Sequence, residues 1–350
     1  MRCQCLVKFG APLVMSERPD PTVSGTEVLL RVTASGVCHS DLHLRDGSYD
    51  MGHGQRMDFG SRGLHLPLVM GHEPAGVVIA AGPDAGAIDM SRNYVVYPWQ
   101  GCGTCRQCKA GLEHFCAAPR FLGMHADGGY ADVLKIPHPR YLFDMGDLEP
   151  ARAAPLACSG LTTFSALKKL ESTLAQSPVV IIGAGGLGLM AIGLVQAMGG
   201  MRPVVVDLSP EKREAALKAG ASHAVDGSAP DAVDQIRNAI GDLPLGVLDL
   251  VGSESSSALG FSLLPKGGKM VIVGLFGGAA PWSLPMIPVK AATIMGSYVG
   301  SLNEFRELMA LAVAGKVQAV PTTKRKLEEA EQVLDELAAG KITGRAVLGA

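Results

Sequence analysis

The side chains best suited to hold a metal are unevenly spread along this sequence. All eight cysteines (3, 5, 38, 102, 105, 108, 116 and 158) and eight of the nine histidines fall in residues 1–158, leaving only His223 beyond. Within GCGTCRQCKAGLEHFC, Cys102, Cys105, Cys108 and Cys116 form a C-x2-C-x2-C-x7-C pattern. Four thiolates at this spacing can surround one Zn2+ tetrahedrally at about 2.3 Å, with no position left for a substrate, so the site reads as structural and coupled to local folding. An iron–sulfur cluster is the sharp rival, because three cysteines at two-residue gaps also begin a ferredoxin motif, although there the fourth follows after three residues. Free thiols are the remaining reading.

Three further candidates are dispersed: Cys38 in GVCHSD, His72 in GHE and Cys158 in PLACSGL. Singly, each is more simply a core or surface residue. Their neighbours strengthen the case, since His39, Ser40, Asp41 and His43 follow Cys38, and Glu73 follows His72. Two thiolates and one imidazole leave Zn2+ an open fourth position, as a catalytic site requires. An alcohol oxygen taken there would have its pKa pulled towards neutrality.

A third chemistry lies in the stretch GAGGLG, where Gly183, Gly185 and Gly188 give G-x-G-x-x-G. The β-branched run before it and the helical pattern after it supply the context a dinucleotide fingerprint needs: a tight turn, close approach of pyrophosphate to a helix N-terminus, and helix packing on strand. Nineteen residues beyond Gly188, Asp207 ends the run VVVD. A carboxylate there would accept hydrogen bonds from an adenosine ribose and repel a 2′-phosphate, which favours NAD over NADP. Lys212 and Arg213 soften that preference. The bland alternative is a nucleotide-type domain without a cofactor.

The elements that must position these groups follow from the pattern of the chain. Its 350 residues, 47% hydrophobic and 18% charged, suit a folded protein of about two domains. A net charge of -2 gives no footprint for nucleic acid or an anionic membrane surface, so small-molecule chemistry is favoured. The opening MRCQCLVKFGAP lacks the apolar core of a signal peptide, which points to the cytoplasm and away from disulfides. Gln176 to Met201 carries no charge over 26 residues, but its glycine cluster splits it into strand, turn, helix and strand rather than a membrane span.

Strands are expected at Val179–Ile182, Val204–Asp207, His223–Val225, Val247–Val251, Lys269–Val273 and Thr293–Ser297, with helices over 187–198, 210–219, 230–240 and 254–264. Ser209 is the N-cap and Pro210 the first helical residue of the second. The fold class is therefore α/β, with a doubly wound parallel sheet of Rossmann type. Residues 1–155 read as an irregular β-rich domain, and the C-terminal part as two helices followed by a strand in GRAVLGA.

GVCHSD, GHE, the four-cysteine lobe, PLACSGLTTFSAL, GAGGLG and VVVD occur in the order and approximate spacing of the zinc-containing alcohol dehydrogenases of the medium-chain dehydrogenase/reductase family, which the chain resembles over essentially its whole length. YPWQGCG, CAAPRFLG, VGLFG and a long segment between Cys38 and His72 make it most similar to archaeal-type and related bacterial enzymes. The resemblance implies a β-rich GroES-like catalytic domain over 1–157 and 298–350, with the Rossmann domain over 158–297. It implies Cys38, His72 and Cys158 as catalytic zinc ligands, with Glu73 a carboxylate able to approach the metal and Asp41 a partner of His72. Ser40 would take the alcohol proton and His43 would form the outer end of the relay. His39 and Arg345 match pyrophosphate-side positions, and Trp99, Phe121 and Leu275 match the substrate pocket, although an ordinary core role competes for each of these three.

Gly186, Leu187, Lys212, Val251, Val273 and Ser297 complete the expected cofactor set. The implied enzyme holds two Zn2+ per chain, uses NAD, and interconverts a primary or secondary alcohol, bulky or aromatic, with its aldehyde or ketone. By analogy it is a homotetramer, with a dimer as the alternative. The rivals are a zinc-independent quinone or enone reductase on the same scaffold and a non-catalytic zinc- and nucleotide-binding redox sensor using Cys3 and Cys5.

Overall fold

The computed structural model describes residues 1–349; Ala350, the end of the expected C-terminal strand, lies outside them. Six parallel strands form one sheet: Val180–Ile182, Val204–Asp207, His223–Asp226, Gly246–Asp249, Lys269–Ile272 and Thr293–Gly296. Counted along the chain, their order in space is third, second, first, fourth, fifth, sixth. This is the doubly wound arrangement, in which the crevice opens where the order reverses, between the first and fourth strands. Val180 lies between Val204 and Val247, so the apolar runs that mark these strands are buried by neighbours on both edges.

The connecting helices are Gly186–Ala197, Pro210–Lys218, Ala232–Ile240 and Glu254–Ser262. Ser209 Oγ accepts the Lys212 N–H at 3.2 Å, which closes the N-cap ahead of Pro210. Several boundaries shift by one or two residues from the sequence expectation, as fraying element ends do.

The second body is built on the nine-residue strand Val28–Gly36. It pairs antiparallel with Pro74–Ala81, Val133–Ile136 and Arg345–Gly349. Asn93–Val96 and Leu142–Asp144 extend this sheet on one side and Thr322–Lys326 on the other. The C-terminal strand therefore returns to the sheet that leads into Cys38. A three-stranded sheet of Val14–Glu17, Arg2–Leu6 and Leu68–Val69 closes one end.

Three elements were not foreseen. Ser159–Leu174 is a helix of 16 residues whose Leu161, Leu167 and Leu170 are wholly buried, each contributing about 2 kcal/mol of burial. It lies in the seam between the bodies, and one apolar cluster runs from Leu30 and Val95 through Leu161 and Leu167 to Ile181 and Leu248. In the long segment after Cys38, His39–Asp46 is a helix closed by Gly47 in the left-handed region at φ 82°. It leads into a hairpin of Ser48–Asp50 and Arg56–Asp58. Among the described residues no helix is long and apolar enough to cross a membrane.

Candidate active site

Cys38 stands at the junction of Val28–Gly36 and His39–Asp46 and is the N-cap of that helix. Its N–H donates to Asp41 Oδ2 at 2.9 Å. Cys158 is the N-cap of Ser159–Leu174. His72 lies between the strands Leu68–Val69 and Pro74–Ala81. The fold thus brings three distant segments together: the Cys38 and Cys158 sulfurs are 3.8 Å apart, and one ligand atom each from Cys38, His72, Glu73 and Cys158 all lie within 4.8 Å of one another. All four residues are buried.

His72 Nδ1 lies 3.1 Å from Asp41 Oδ1, and the Tyr130 hydroxyl donates to Asp41 Oδ2 at 2.9 Å. A buried carboxylate that accepts Nδ1–H makes Nε2 the nitrogen that gives up its proton to a metal. That Nε2 is buried and without a hydrogen-bond partner among the described residues. Burial pushes the His72 imidazolium down, but Asp41 and the Cys38 sulfur outweigh it and hold the pKa well above the ordinary histidine value. A hydrogen bond from the Cys158 thiol holds Cys38 well below the usual thiol range, and the same bond together with burial pushes Cys158 up. The two sulfurs share a proton that a divalent cation would displace, since the thiolate is the ligand form. Two thiols and an unpartnered imidazole nitrogen suit Zn2+.

Glu73 and Arg345 form a buried ion pair behind these ligands. Burial raises the Glu73 carboxyl to about 7 although Arg345 opposes it, and Glu73 Oε2 has no partner among the described residues. Arg345 also lies under the glycine turn, since a Cβ on Gly186 would stand 2.6 Å from its Cδ. Its Nη2 is bound to Glu73, Nε has no partner among the described residues, and Nη1 would stand 3.4 Å from a Cβ on Gly186, so the guanidinium bridges Glu73 and the start of the glycine-turn helix.

The four-cysteine lobe is equally compact. The Cys105–Cys108, Cys105–Cys116 and Cys102–Cys108 sulfurs are 3.5, 3.8 and 4.0 Å apart. A tetrahedron with arms of about 2.3 Å has edges of about 3.8 Å, so the set matches a closed zinc cage. The N–H groups of Cys102 and Ala118 point at the Cys116 sulfur, at 3.3 Å each, and such donors favour thiolates.

Between Cys38 and Cys158 and the glycine turn lies a cavity of about 310 Å3. Cys38, His39, Ser40, His43, Trp99 and Cys158 line one side. Gly183, Gly185, Gly186, Leu187, Gly188, Asp207 and Lys212 line the other, with Val251, Val273, Leu275 and Ser297 between. The three motif glycines differ in what holds them. At Gly183, φ is 101° and a Cβ would meet Val251 at 2.9 Å; at Gly188 a Cβ would fall on the Gly183 carbonyl; at Gly185 it would meet nothing within 4 Å. Turn, packing and open ligand approach thus fall on separate residues. Asp207 is partly engaged, accepting the Ala184 N–H at 2.7 Å and the Ser209 N–H at 2.9 Å.

Phe121 does not reach the cavity: it is buried with its ring edge-on to Trp99, centroids 5.3 Å apart, so it backs the pocket wall instead of forming it. Eight lining residues escaped the sequence reading: Tyr49, Met124, Thr162, Leu250, Gly274, Phe276, Tyr298 and Val299. Thr162, four residues after Cys158 on one helix face, was the one with a spacing signal, had the helix been foreseen. Cys3 and Cys5 are buried with sulfurs 3.6 Å apart, and burial raises the Cys3 thiol to about 12, the reverse of what a reactive sensor needs.

Comparison with known proteins agrees with this geometry. The family model for the alcohol dehydrogenase GroES-like domain matches residues 24–147, and that for zinc-binding dehydrogenases matches 186–314. The NAD-dependent alcohol dehydrogenase of Sulfurisphaera tokodaii is 39% identical over 349 residues, and that of Saccharolobus solfataricus 38%, with 99% of both chains covered in each case. The crystal structure of the alcohol dehydrogenase from Aeropyrum pernix superposes with a TM-score of 0.89 at 31% identity, covering all of both chains.

Proposed function

Because the chain belongs to the family of zinc-binding alcohol dehydrogenases, we propose that it moves a hydride reversibly between a primary or secondary alcohol and NAD, giving an aldehyde or ketone. The observation that carries this reading is the buried trio of Cys38, His72 and Cys158, facing a glycine turn across one 310 Å3 cavity.

Zn2+ held by Cys38, His72 and Cys158 supplies a Lewis acid for alcohol and carbonyl oxygens, and NAD supplies the hydride acceptor. The protein does the rest. Asp41 orients His72 through Nδ1. Trp99, anchored by its indole N–H to Ala157 O at 3.0 Å, excludes water from the reacting face. Ser40 Oγ receives the proton leaving the alcohol, and His43 passes it outward. Burial lowers the His43 pKa, so its imidazole is free to accept a proton at neutral pH. Gly185, open to the cavity at the start of the helix Gly186–Ala197, receives the pyrophosphate, and Asp207 the adenosine ribose. His39 and Lys212 add positive or hydrogen-bonding groups beside it.

We assign the second zinc to Cys102, Cys105, Cys108 and Cys116, and prefer NAD to NADP on the charge of Asp207. The catalytic domain is taken as 1–157 with 298–350, which is supported by pairing of Arg345–Gly349 with Val28–Gly36. Trp99 and Leu275 suit a bulky or aromatic substrate. Assembly into a tetramer, or at least a dimer, is supported by exposed Leu284 and Val289 near the edge strand Thr293–Gly296. Ligand cysteines must stay reduced, which suits the cytoplasm. A panel of alcohols assayed with NAD and NADP side by side tests the reading; no turnover with any alcohol, or turnover that survives chelation, would favour the zinc-independent reductase or the non-catalytic alternative.

A further inference from the structure

Lys169 lies on the inward side of the helix Ser159–Leu174, 11 residues after Cys158, and none of the roles above uses it. Its Nζ donates to Ser297 Oγ at 2.9 Å, to Ser165 Oγ at 3.2 Å and to Ser165 O at 3.3 Å. It forms no ion pair among the described residues. Glu304, whose charge acts on it without an ion pair, has its Oε2 taken by the Ser301 N–H and hydroxyl at 2.7 and 2.8 Å. A half-buried ammonium served only by neutral oxygens carries a desolvation cost that an exposed lysine avoids.

The residue it grips opens a constrained segment. After Ser297 the chain leaves the parallel sheet through Tyr298, Val299 and Gly300, and the first three of these four residues line the cavity. Val299 has φ 43°, in the left-handed region that a β-branched side chain enters only under constraint. Such strain persists where surrounding contacts fix the backbone. Gly300, whose carbonyl accepts the buried Tyr97 hydroxyl at 2.9 Å, is packed so tightly that a Cβ would stand 2.6 Å from Leu161. Tyr97 therefore holds the far end of the segment and Lys169 the near end.

We propose that Lys169 is a positioning residue for the dehydrogenase reaction: by binding Ser297 it ties the segment 297–300 to the helix that begins at the metal ligand Cys158, and so fixes the cavity wall against which the nicotinamide end of the cofactor is held. The proposal rests on the dehydrogenase reading, and adds to it a link between the two places where the chain crosses between catalytic and nucleotide parts. A charge-assisted bond that holds one strained wall supplies affinity through preorganisation and no new contact to the ligand.

The test uses Lys169→Met, which keeps most of the apolar stem and removes the donors, with Ser297→Ala and the double variant. NADH binding to the intact protein is read by nicotinamide fluorescence, alongside zinc content and thermal midpoint. Lys169→Met should weaken NADH about tenfold and raise the NAD KM more than it lowers kcat, at unchanged zinc content and midpoint. Ser297→Ala should do the same, and the double variant should be no worse than either. Equal NADH affinity in wild type and Lys169→Met overturns the proposal, as do strictly additive effects or a loss matched by falling zinc content and midpoint. A wild type that binds no NADH removes the dehydrogenase reading as well, so the two failures are told apart.

Discussion

Asp41 carries more than one task at the scale of single side chains: it caps the helix that begins after Cys38, accepts Tyr130, and orients His72. Asp41→Asn should weaken zinc at the catalytic position 10- to 100-fold, measured by competition with a chelator while the four-cysteine zinc is retained. His43→Gln should lower kcat about 100-fold if it carries the proton outward. Burial already lowers the His43 pKa, so the wild-type rate should hold steady from alkaline pH down to about 6.5 and decline only below it, an acid limb the variant lacks. Both cysteine groups were legible because thiols at ligand spacing, and thiols flanked by His, Asp and Glu, have few other uses. Tyr49 and Tyr298 were not, because membership of a pocket wall depends on packing that leaves no local spacing rule, and Thr162 was missed with the helix that sets its spacing from Cys158. Arg345 was legible as a polar residue near the glycine turn but not as the partner of Glu73, 272 positions away.

Among the elements, the parallel strands and their helices were readable because apolar β-branched runs and caps such as Ser209–Pro210 are local signals. The helix Ser159–Leu174 was hidden by Gly160, Thr162 and Thr163, poor helix formers that burial overrides; Thr163 Oγ1 even returns to Ser159 O at 2.6 Å. The hairpin Ser48–Asp50 and Arg56–Asp58 was hidden because its fit is to another part of the chain. Gly52 at its turn approaches the loop after the fifth parallel strand, where an added Cβ would meet the Gly278 carbonyl carbon at 2.7 Å and Ala279 N at 2.8 Å. Gly52→Val should wedge these apart and raise the KM for both alcohol and NAD, at a cost of about 1–3 kcal/mol in stability seen by urea unfolding. Gly188→Ala puts a methyl group on the Gly183 carbonyl and should weaken NADH while leaving zinc content unchanged. Equal weakening of the zinc would mean that the turn and metal floor are one cooperative unit.

For the molecule as a whole, purified protein should contain two zinc ions per chain, and one or none would remove the two-site reading. Burial lowers both His43 and His125, so the folded state binds protons less readily than the unfolded state. Stability from these groups is complete above the unfolded value of about 6.5 and is lost as pH falls from there towards their folded values. The contribution of His43 to the urea midpoint is therefore lost between pH 7.5 and 5.5, and the His43→Gln variant should change less unfavourably than wild type over that interval. The α/β class and the order of metal and nucleotide segments were legible because each motif is compact in sequence. The joining of the C-terminal strand to the strand before Cys38 was not, because β pairing across 300 residues leaves no local trace.

That pairing has a consequence for how the protein is made. The Val37 N–H donates to Ala346 O at 2.9 Å, and Arg345 supplies the partner of Glu73, so the setting of Cys38 depends on residues translated 187 positions after Cys158. The four-cysteine lobe spans 15 residues and can close as soon as it leaves the ribosome. The surroundings of Cys38 and Glu73 are completed only when Arg345 and Ala346 are free to pack on them. Purified chains truncated before Arg345 should hold one zinc, and the full chain two.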